Sequence, residues 1–235
     1  MFFDSTYLLL MAPAIVLSLW ASFRTKSTFK KYSQQRAMTG MTGAQAAQRL
    51  LDQAGIQDVK VVATNGYLSD HYNPTNKTLA LSEPVYQSNS VAAIGVACHE
   101  AGHAIQHATN YFPLGLRSLL VPTANIGSKL GYWVMFAGLI LIGVAGQVGV
   151  GVVLAGAVLF SMVLVFQIVT LPVEFDASNR AKALAVQYGI VTESERVGMD
   201  KVLNAAALTY VAAAISTFMT LLYFLIRAGI LGGRR

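Results

Sequence analysis

The chain has 235 residues, of which 54% are hydrophobic and only 12% are charged. Soluble domains carry about 25% charged residues, so this composition argues against an ordinary soluble protein. The net charge is +6, but the basic residues flank apolar runs and form no aromatic-interleaved patch, which favours a membrane protein over a nucleic-acid binder.

Four apolar segments predict membrane helices, each of which needs about 20 apolar residues. The first, 7–23, precedes the basic stretch "RTKSTFKK", which is typical of an uncleaved anchor because a signal peptide carries its charge before the apolar run. Segments 131–146 and 148–171 contain no charged side chain and predict a helical hairpin that turns near Gln147. The fourth segment is 205–226.

Basic residues indicate the orientation of these helices. Ten of them fall in 24–129 and four in 172–204, so the positive-inside rule predicts that both polar segments are cytoplasmic and that the protein is a multi-pass cell-membrane protein. The basic tail, with Arg227, Arg234 and Arg235, argues weakly for the opposite orientation.

The polar segments contain local signals for helices and strands. Residues 39–55 predict a short helix that begins after Thr42 and ends at Gly55. Residues 59–64 and 78–82 predict strands of a small sheet, with a turn at 73–77 before the second. The stretch "TESE" at 192–195 predicts a capping box at the start of a helix that continues into the last span.

The stretch "CHEAGHAIQHA" carries three of the four histidines and predicts one mostly buried helix over 90–108. Residues four apart on a helix differ by about 40° in direction and about 6 Å in height, so His99 and His103 can hold one Zn²⁺. Glu100 is placed to contact a water on the metal, and "HEAGH" matches the HExxH pattern of zinc peptidases. The alternative is a structural helix with hydrogen-bonded histidines, but a charged glutamate in an apolar helix needs compensation.

Two other polar side chains of this helix receive separate interpretations. His107 lies about 12 Å along the helix from His99, so both cannot bind one ion, and His107 is predicted to be supporting, structural or exposed. Cys98, the single cysteine, is predicted to pack in the interior.

A catalytic zinc usually has three protein ligands and one open position. The extended motif HExxHxxGxxH would supply a histidine as the third ligand. This chain does not match it, because Gln106 replaces the glycine and Thr109 replaces the histidine. A downstream glutamate is the other common choice, and the candidates are Glu174, Glu193 and Glu195.

Sequence context favours Glu174 among these candidates. Glu195 is assigned to the capping box and Glu193 to the solvated first turn of the same helix. Glu174 follows the third span closely, with Pro172 predicted in the first turn of a new helix. The alternatives for Glu174 are a surface position near the headgroups or a pair with Arg180.

The sequence closely resembles the bacterial membrane-bound neutral zinc metallopeptidases of the YugP type. The resemblance rests on "MTGAQAAQRLLDQAGI", "GYLSDHYNPTNKTLALSEPVY", "HEAGHAIQHA", "LPVEFDASNRAKALA" and "VLNAAALTYVAAA", which cover most of the chain in order. That family is similar to the HtpX-like gluzincins, whose third zinc ligand is a glutamate on a later helix. The resemblance implies His99, His103 and Glu174 as zinc ligands and Glu100 as the general base.

One position departs from the HtpX-like pattern. Those enzymes tend to carry aspartate four residues after the ligand glutamate, where this chain has Ser178. Asp176 or Asn179 is predicted to supply the supporting contact instead.

The predicted fold class is a mainly α membrane protein with four transmembrane helices and a small α+β, zincin-like catalytic region on one membrane side. Five segments are expected in chain order. An N-terminal membrane anchor (1–23) precedes a catalytic segment with the HExxH helix (24–129) and a membrane hairpin (130–171). A helical segment with the third ligand (172–204) and a last membrane helix with a basic tail (205–235) follow.

The predicted function is a zinc-dependent endopeptidase that cleaves membrane or membrane-proximal proteins with a zinc-activated water and Glu100 as base. The oxyanion donor is left open among His71, Tyr72 and Arg180, and "DHY" at 70–72 is equally compatible with a turn that has no catalytic part. The strand at 78–82 is a candidate edge for an extended substrate, although an ordinary sheet strand is the favoured interpretation. The expected partners are the lipid bilayer and a protein or peptide substrate, with no nucleic acid; membrane-protein partners or a homo-oligomer stay open. The alternative function is a catalytically silent zinc-binding scaffold or a metal-handling protein, although charge-free spans argue against transport.

Overall fold

The computed structural model describes residues 4–66 and 68–231, which form a mainly α-helical protein with one small sheet. The α-helices are α1 (Ser5–Ser33), α2 (Gly43–Gln53), α3 (Glu83–Tyr86), α4 (Val91–Ala108), α5 (Phe112–Ile126), α6 (Tyr132–Ala145), α7 (Gln147–Gln187) and α8 (Glu193–Arg227). The strands are β1 (Lys60–Thr64), β2 (His71–Asn73) and β3 (Thr78–Ser82), and a π-helical turn at Gly127–Gly131 joins α5 to α6. The predicted fold class is confirmed.

Four helices in the described part of the chain are long and apolar enough to cross a membrane, as predicted. They are Ser5–Ser33, Phe112–Ala145, Gln147–Gln187 and Glu193–Arg227. The second begins at Phe112, well before the predicted residue 131, because α5, the π turn and α6 follow one another without a loop. The tail residues Arg234 and Arg235 lie outside the described residues.

The chain divides into two compact units. The first comprises residues 1–20, 116–171 and 210–235, and the second comprises 21–115 and 172–209. The five segments expected from the sequence were defined by membrane topology, whereas these two units are defined by packing. The division into five segments therefore stays a prediction.

The first unit contains the predicted membrane hairpin of α6 and α7. Gly146 makes the turn between them with a φ of +50°, a region that favours glycine because it has no Cβ. Glycines then bring the two helices close: a Cβ at Gly149 would lie 2.3 Å from the Ile142 nitrogen, and one at Gly156 would lie 2.5 Å from the Met135 nitrogen. Close backbone approach through small residues is how membrane helices associate without a hydrophobic drive from water.

Gly149→Ala is expected to destabilise this hairpin because the added methyl group meets backbone atoms that cannot move aside. Overpacking costs about 1–3 kcal/mol, so we expect the melting temperature of the detergent-solubilised protein to fall by several degrees. Gly151→Ala is the matched control, since a Cβ at Gly151 meets nothing within 4 Å. Equal melting temperatures for the two variants would contradict the close packing.

The second unit places a small sheet and α2 around α4. Thr42 caps α2 in the predicted position, with the Gln45 side chain completing the capping box. Leu50 and Leu51 of α2 are fully buried in the same core as Ala97 and Ala101 of α4. The helices predicted over 39–55 and 90–108 and the strands predicted over 59–64 and 78–82 are all confirmed.

The sheet agrees with the favoured interpretation of 78–82 as an ordinary sheet strand and excludes the alternative that this strand is an edge. The strand order is β1-β3-β2, so β3 is central, parallel to β1 and antiparallel to β2. Pairing on both sides uses the backbone groups of β3, and its residues are largely buried. β1 and β2 are the two outer strands of this sheet, and β2 carries His71 and Tyr72.

One correction concerns Pro172, which was predicted in the first turn of a new helix. It lies inside α7, which continues unbroken to Gln187. A proline in a helix removes one backbone hydrogen bond. The helix continues because a stripe at four-residue spacing is fully buried in the core, namely Val173, Ala177, Ala181 and Ala185.

The start of α8 matches the predicted capping box. The Glu195 nitrogen donates to the Thr192 hydroxyl at 3.3 Å, and the Thr192 nitrogen donates to the Glu195 carboxylate at 2.8 Å. The same carboxylate also accepts from the Met38 nitrogen. Glu195 is therefore occupied by backbone donors, and Glu193 lies exposed on the first turn, as predicted.

Candidate metal centre

The centre is built from two helices of the second unit, α4 and α7. Ser90 caps α4 through its side chain, which accepts from the Ala93 nitrogen, and the helix then runs to Ala108. The four-residue spacing places the rings of His99 and His103 side by side, with centroids 4.7 Å apart and planes at 79°.

Glu174 of α7 reaches both imidazoles. Its Oε2 lies 3.2 Å from His99 Nε2 and 3.6 Å from His103 Nε2, and the three residues could hold one metal ion. A tetrahedral zinc with ligands at about 2.0–2.1 Å separates neighbouring ligand atoms by about 3.4 Å, so both distances fit. The Glu174 side chain is only 3% exposed, and a cation at this position would compensate its buried charge.

The other nitrogen of each imidazole faces a hydrogen-bond partner. His99 Nδ1 lies 3.1 Å from the Ser178 hydroxyl, and His103 Nδ1 lies 3.0 Å from Gln106 Oε1. These contacts direct both Nε2 atoms towards Glu174. Partners of this kind fix the ring orientation of metal-binding histidines and raise their basicity.

Gln106 begins a series of hydrogen bonds that leads to α7. Its Nε2 donates to the Val173 carbonyl and to the Asp176 carboxylate, both at 2.8 Å. Arg180 Nε donates to the same carboxylate at 2.6 Å. These hydrogen bonds thus join His103 to α7 through its Nδ1 atom, and its Nε2 atom stays directed towards the candidate metal position.

A glycine allows α4 and α7 to approach closely at this point. A Cβ at Gly102 would lie 2.6 Å from the Ala177 carbonyl oxygen, closer than real Cβ atoms come. Gly102 directly precedes His103, and Ala177 is three residues after Glu174. The absence of a side chain at Gly102 therefore sets the distance between the histidine helix and the carboxylate.

The local field of the centre is negative. Burial by itself lowers the pKa of the His103 imidazole, but the hydrogen bond that it donates to Glu174 and the charge of Glu100 raise the pKa above its ordinary value. Glu100 is itself 8% exposed. The same field that favours a proton on His103 favours a divalent cation, since both are positive charges among carboxylates.

Cys98 packs in the interior, as predicted. It is fully buried, and burial raises the pKa of its thiol to about 12. The thiol therefore stays protonated and neutral, which makes it a poor metal ligand despite its position next to His99.

The remaining sequence candidates have other contacts. His107 Nδ1 lies 2.8 Å from the Tyr72 hydroxyl, so His107 joins α4 to β2. His71 is exposed, and its Nδ1 lies 2.8 Å from the Ser69 carbonyl. Arg180 pairs with Asp176 and lies over the Tyr111 ring, with 5.6 Å between guanidinium carbon and ring centroid.

Two supporting residues were missed or misassigned from the sequence. In the sequence analysis Gln106 was used only to exclude the extended zinc motif. A polar residue three positions after His103 in an apolar helix is nevertheless a signal for a hydrogen bond to that imidazole. Ser178, treated as a departure from a family pattern, itself contacts His99. Asp176 acts through Gln106 as a supporting residue, whereas Asn179 is exposed.

Comparison with known proteins agrees with this geometry. A family profile described as "Putative neutral zinc metallopeptidase" matches residues 7–229. A Bacillus subtilis (strain 168) protein named "Putative membrane protease YugP" is 46% identical over 218 residues, which cover 93% of this chain and 94% of that protein. No solved structure matches the chain.

Four apolar helices and three residues that could hold a metal ion, two of them buried, define a membrane protein with a candidate zinc centre. The chain belongs to the neutral zinc metallopeptidase family that includes this Bacillus relative. The resemblance stated from the sequence is thereby confirmed, and so is zinc as the cofactor of the family.

Gln106→Leu is expected to weaken zinc binding because His103 loses the acceptor that orients its ring. Losing a contact of this kind typically costs about 10–100-fold in metal affinity. Chelator competition on the purified protein measures the change. Ser178→Ala tests the equivalent contact to His99, and Gln48→Leu, at an exposed position of α2, is the control. Wild-type affinity in both site variants would show that these contacts do not support the metal.

Proposed function

We propose that the protein is a membrane-embedded zinc endopeptidase of the gluzincin type, with His99, His103 and Glu174 as the metal ligands. The observation that carries this proposal is the approach of one buried carboxylate oxygen to both HExxH imidazoles. Three protein ligands leave a fourth zinc position open for water or substrate, which distinguishes a catalytic from a closed structural site.

When bound, zinc supplies Lewis acidity, which acidifies a water to a pKa of about 7 and polarises a peptide carbonyl. Glu100 is the proposed general base. Its carboxylate accepts a proton from the attacking water as the new carbon–oxygen bond forms, and it delivers that proton to the amine nitrogen as the carbon–nitrogen bond breaks. The charge of Glu100 acts on His103, which supports its place beside the candidate centre.

The exposed side of β2 is the proposed binding edge for an extended substrate. Strand addition uses backbone hydrogen bonds and suits a peptidase that acts on many sequences. β2 carries Tyr72, whose hydroxyl contacts His107 one helical turn beyond His103, so the strand and the histidine helix are held together. Tyr72, His71 and Arg180 stay candidates for the oxyanion donor. The Asp176 pair fixes the Nε side of Arg180.

Glu100→Gln is expected to retain zinc but to lose casein or membrane-protein cleavage by about 10²–10⁴-fold, because the amide is the same size and accepts no proton. Metal analysis and a cleavage assay on the same purified sample separate the two effects. Glu174→Gln is expected to lose both zinc and cleavage, and Glu193→Gln, at an exposed carboxylate, is expected to lose neither. Cleavage by Glu100→Gln at the wild-type rate would contradict the mechanism and leave a zinc-binding scaffold as the better account.

The proposed orientation places the polar segments 24–129 and 172–204 in the cytoplasm, as the distribution of basic residues predicts. The single native cysteine is fully buried, so introduced cysteines can report on topology. In intact cells, a membrane-impermeant maleimide is expected to label Gln147→Cys at the hairpin turn and to spare Lys60→Cys. Permeabilisation is expected to expose Lys60→Cys, and labelling in the reverse pattern would invert the topology.

A further inference from the structure

The second half of α1 carries basic side chains, and the length of the helix indicates their depth in a lipid bilayer. α1 has 29 residues and is therefore about 44 Å long, whereas the hydrocarbon core of a bilayer is about 30 Å thick. The apolar run ends at Phe23, and the next about 11 Å of the helix, from Arg24 to Lys31, reaches the level of the lipid headgroups and the adjacent water.

One face of this segment is fixed against the protein. Ala21, Phe29 and Tyr32 are buried, and the latter two belong to the core of the second unit. The Thr25 hydroxyl donates to the Ala205 carbonyl at 2.9 Å from the same face. These contacts prevent α1 from rotating, so its opposite face has a defined direction.

All the charged residues of the opposite face are basic. Its cations are all exposed, and together they are called the basic face: Arg24, Lys26, Lys30 and Lys31. No acidic residue occurs between Asp4 and Asp52 in the sequence. Within residues 4–66 and 68–231, no salt bridge is formed by Lys26, Lys30 or Lys31. Phe23, 72% exposed, lies at the apolar end of this face.

We infer that the basic face binds the headgroups of anionic phospholipids. Clusters of four or more lysines and arginines next to a membrane helix attract anionic lipid, and each charge near the surface contributes up to about fivefold in association. Lysine and arginine stems lie along apolar surface while their charged ends reach the phosphates, which suits positions following Phe23. An acidic soluble partner would need the basic face to project clear of the bilayer, whereas the length of α1 begins it at headgroup depth. The inference does not depend on peptidase activity.

Trp20, one helical turn before Arg24, is a built-in reporter of the lipid beside the basic face. The chain has two tryptophans, so Trp133→Phe leaves Trp20 as the single fluorophore of this kind. The full-length protein is reconstituted into phosphatidylcholine vesicles that contain either brominated phosphatidylglycerol or brominated phosphatidylcholine at equal mole fraction. Bromine quenching of Trp20 then gives the ratio of the two association constants.

The expected ratio is at least about threefold in favour of phosphatidylglycerol at low salt, falling towards one in high salt because the attraction is electrostatic. Lys26→Gln/Lys30→Gln is expected to bring the ratio near one, and Lys26→Arg/Lys30→Arg is expected to restore it. The control Lys60→Gln/Lys77→Gln removes the same charge from the sheet region and is expected to keep the wild-type ratio. A wild-type ratio of one would overturn the inference. So would a ratio that the glutamine variant leaves unchanged or that the control lowers equally.

Discussion

The approach of Glu174 to His99 and His103 is the contact on which the centre depends. A carboxylate that is 3% exposed carries a large desolvation cost unless positive charge or hydrogen-bond donors face it. Two imidazoles of one helix supply this, and a cation between them would supply more. Their outer nitrogens are held by Ser178 and Gln106, so the three candidate ligand atoms have directions fixed by packed and hydrogen-bonded side chains of two helices.

The closeness of α4 and α7 follows from small residues at their contact. Gly102 lets the Ala177 carbonyl approach the histidine helix, and the alanines of α7 keep its buried stripe narrow. Glu174 and Ser178 lie one position after Val173 and Ala177, so the same turn of α7 that packs also presents its polar atoms. Because α7 continues through Pro172 without a break, the candidate ligand Glu174 follows the apolar part of α7 on the same helix.

Like α7, α1 has a different role in each of its two parts. Its first part is an apolar span, while its second part packs Phe29 and Tyr32 into a core and exposes cations on the other side. In both helices the membrane segment and the polar segment share one hydrogen-bonded backbone. This arrangement needs no linker, and it fixes the rotation of each functional face by burying the opposite face.

The sequence by itself determined the features that depend on neighbours along the chain. The His99–His103 spacing, the Thr42 and Thr192 caps, the hairpin turn and the strands β1 and β3 all arise from local periodicity or capping, which a single segment carries. The family resemblance added Glu174, which local reasoning favoured without closing the alternatives. Only the tertiary structure decided which carboxylate meets the histidines, that Ser178 orients His99, that β3 is central, and that α7 passes through Pro172. These features depend on contacts between segments up to 79 residues apart, as for Ser178 and His99, where packing rather than local preference determines the outcome.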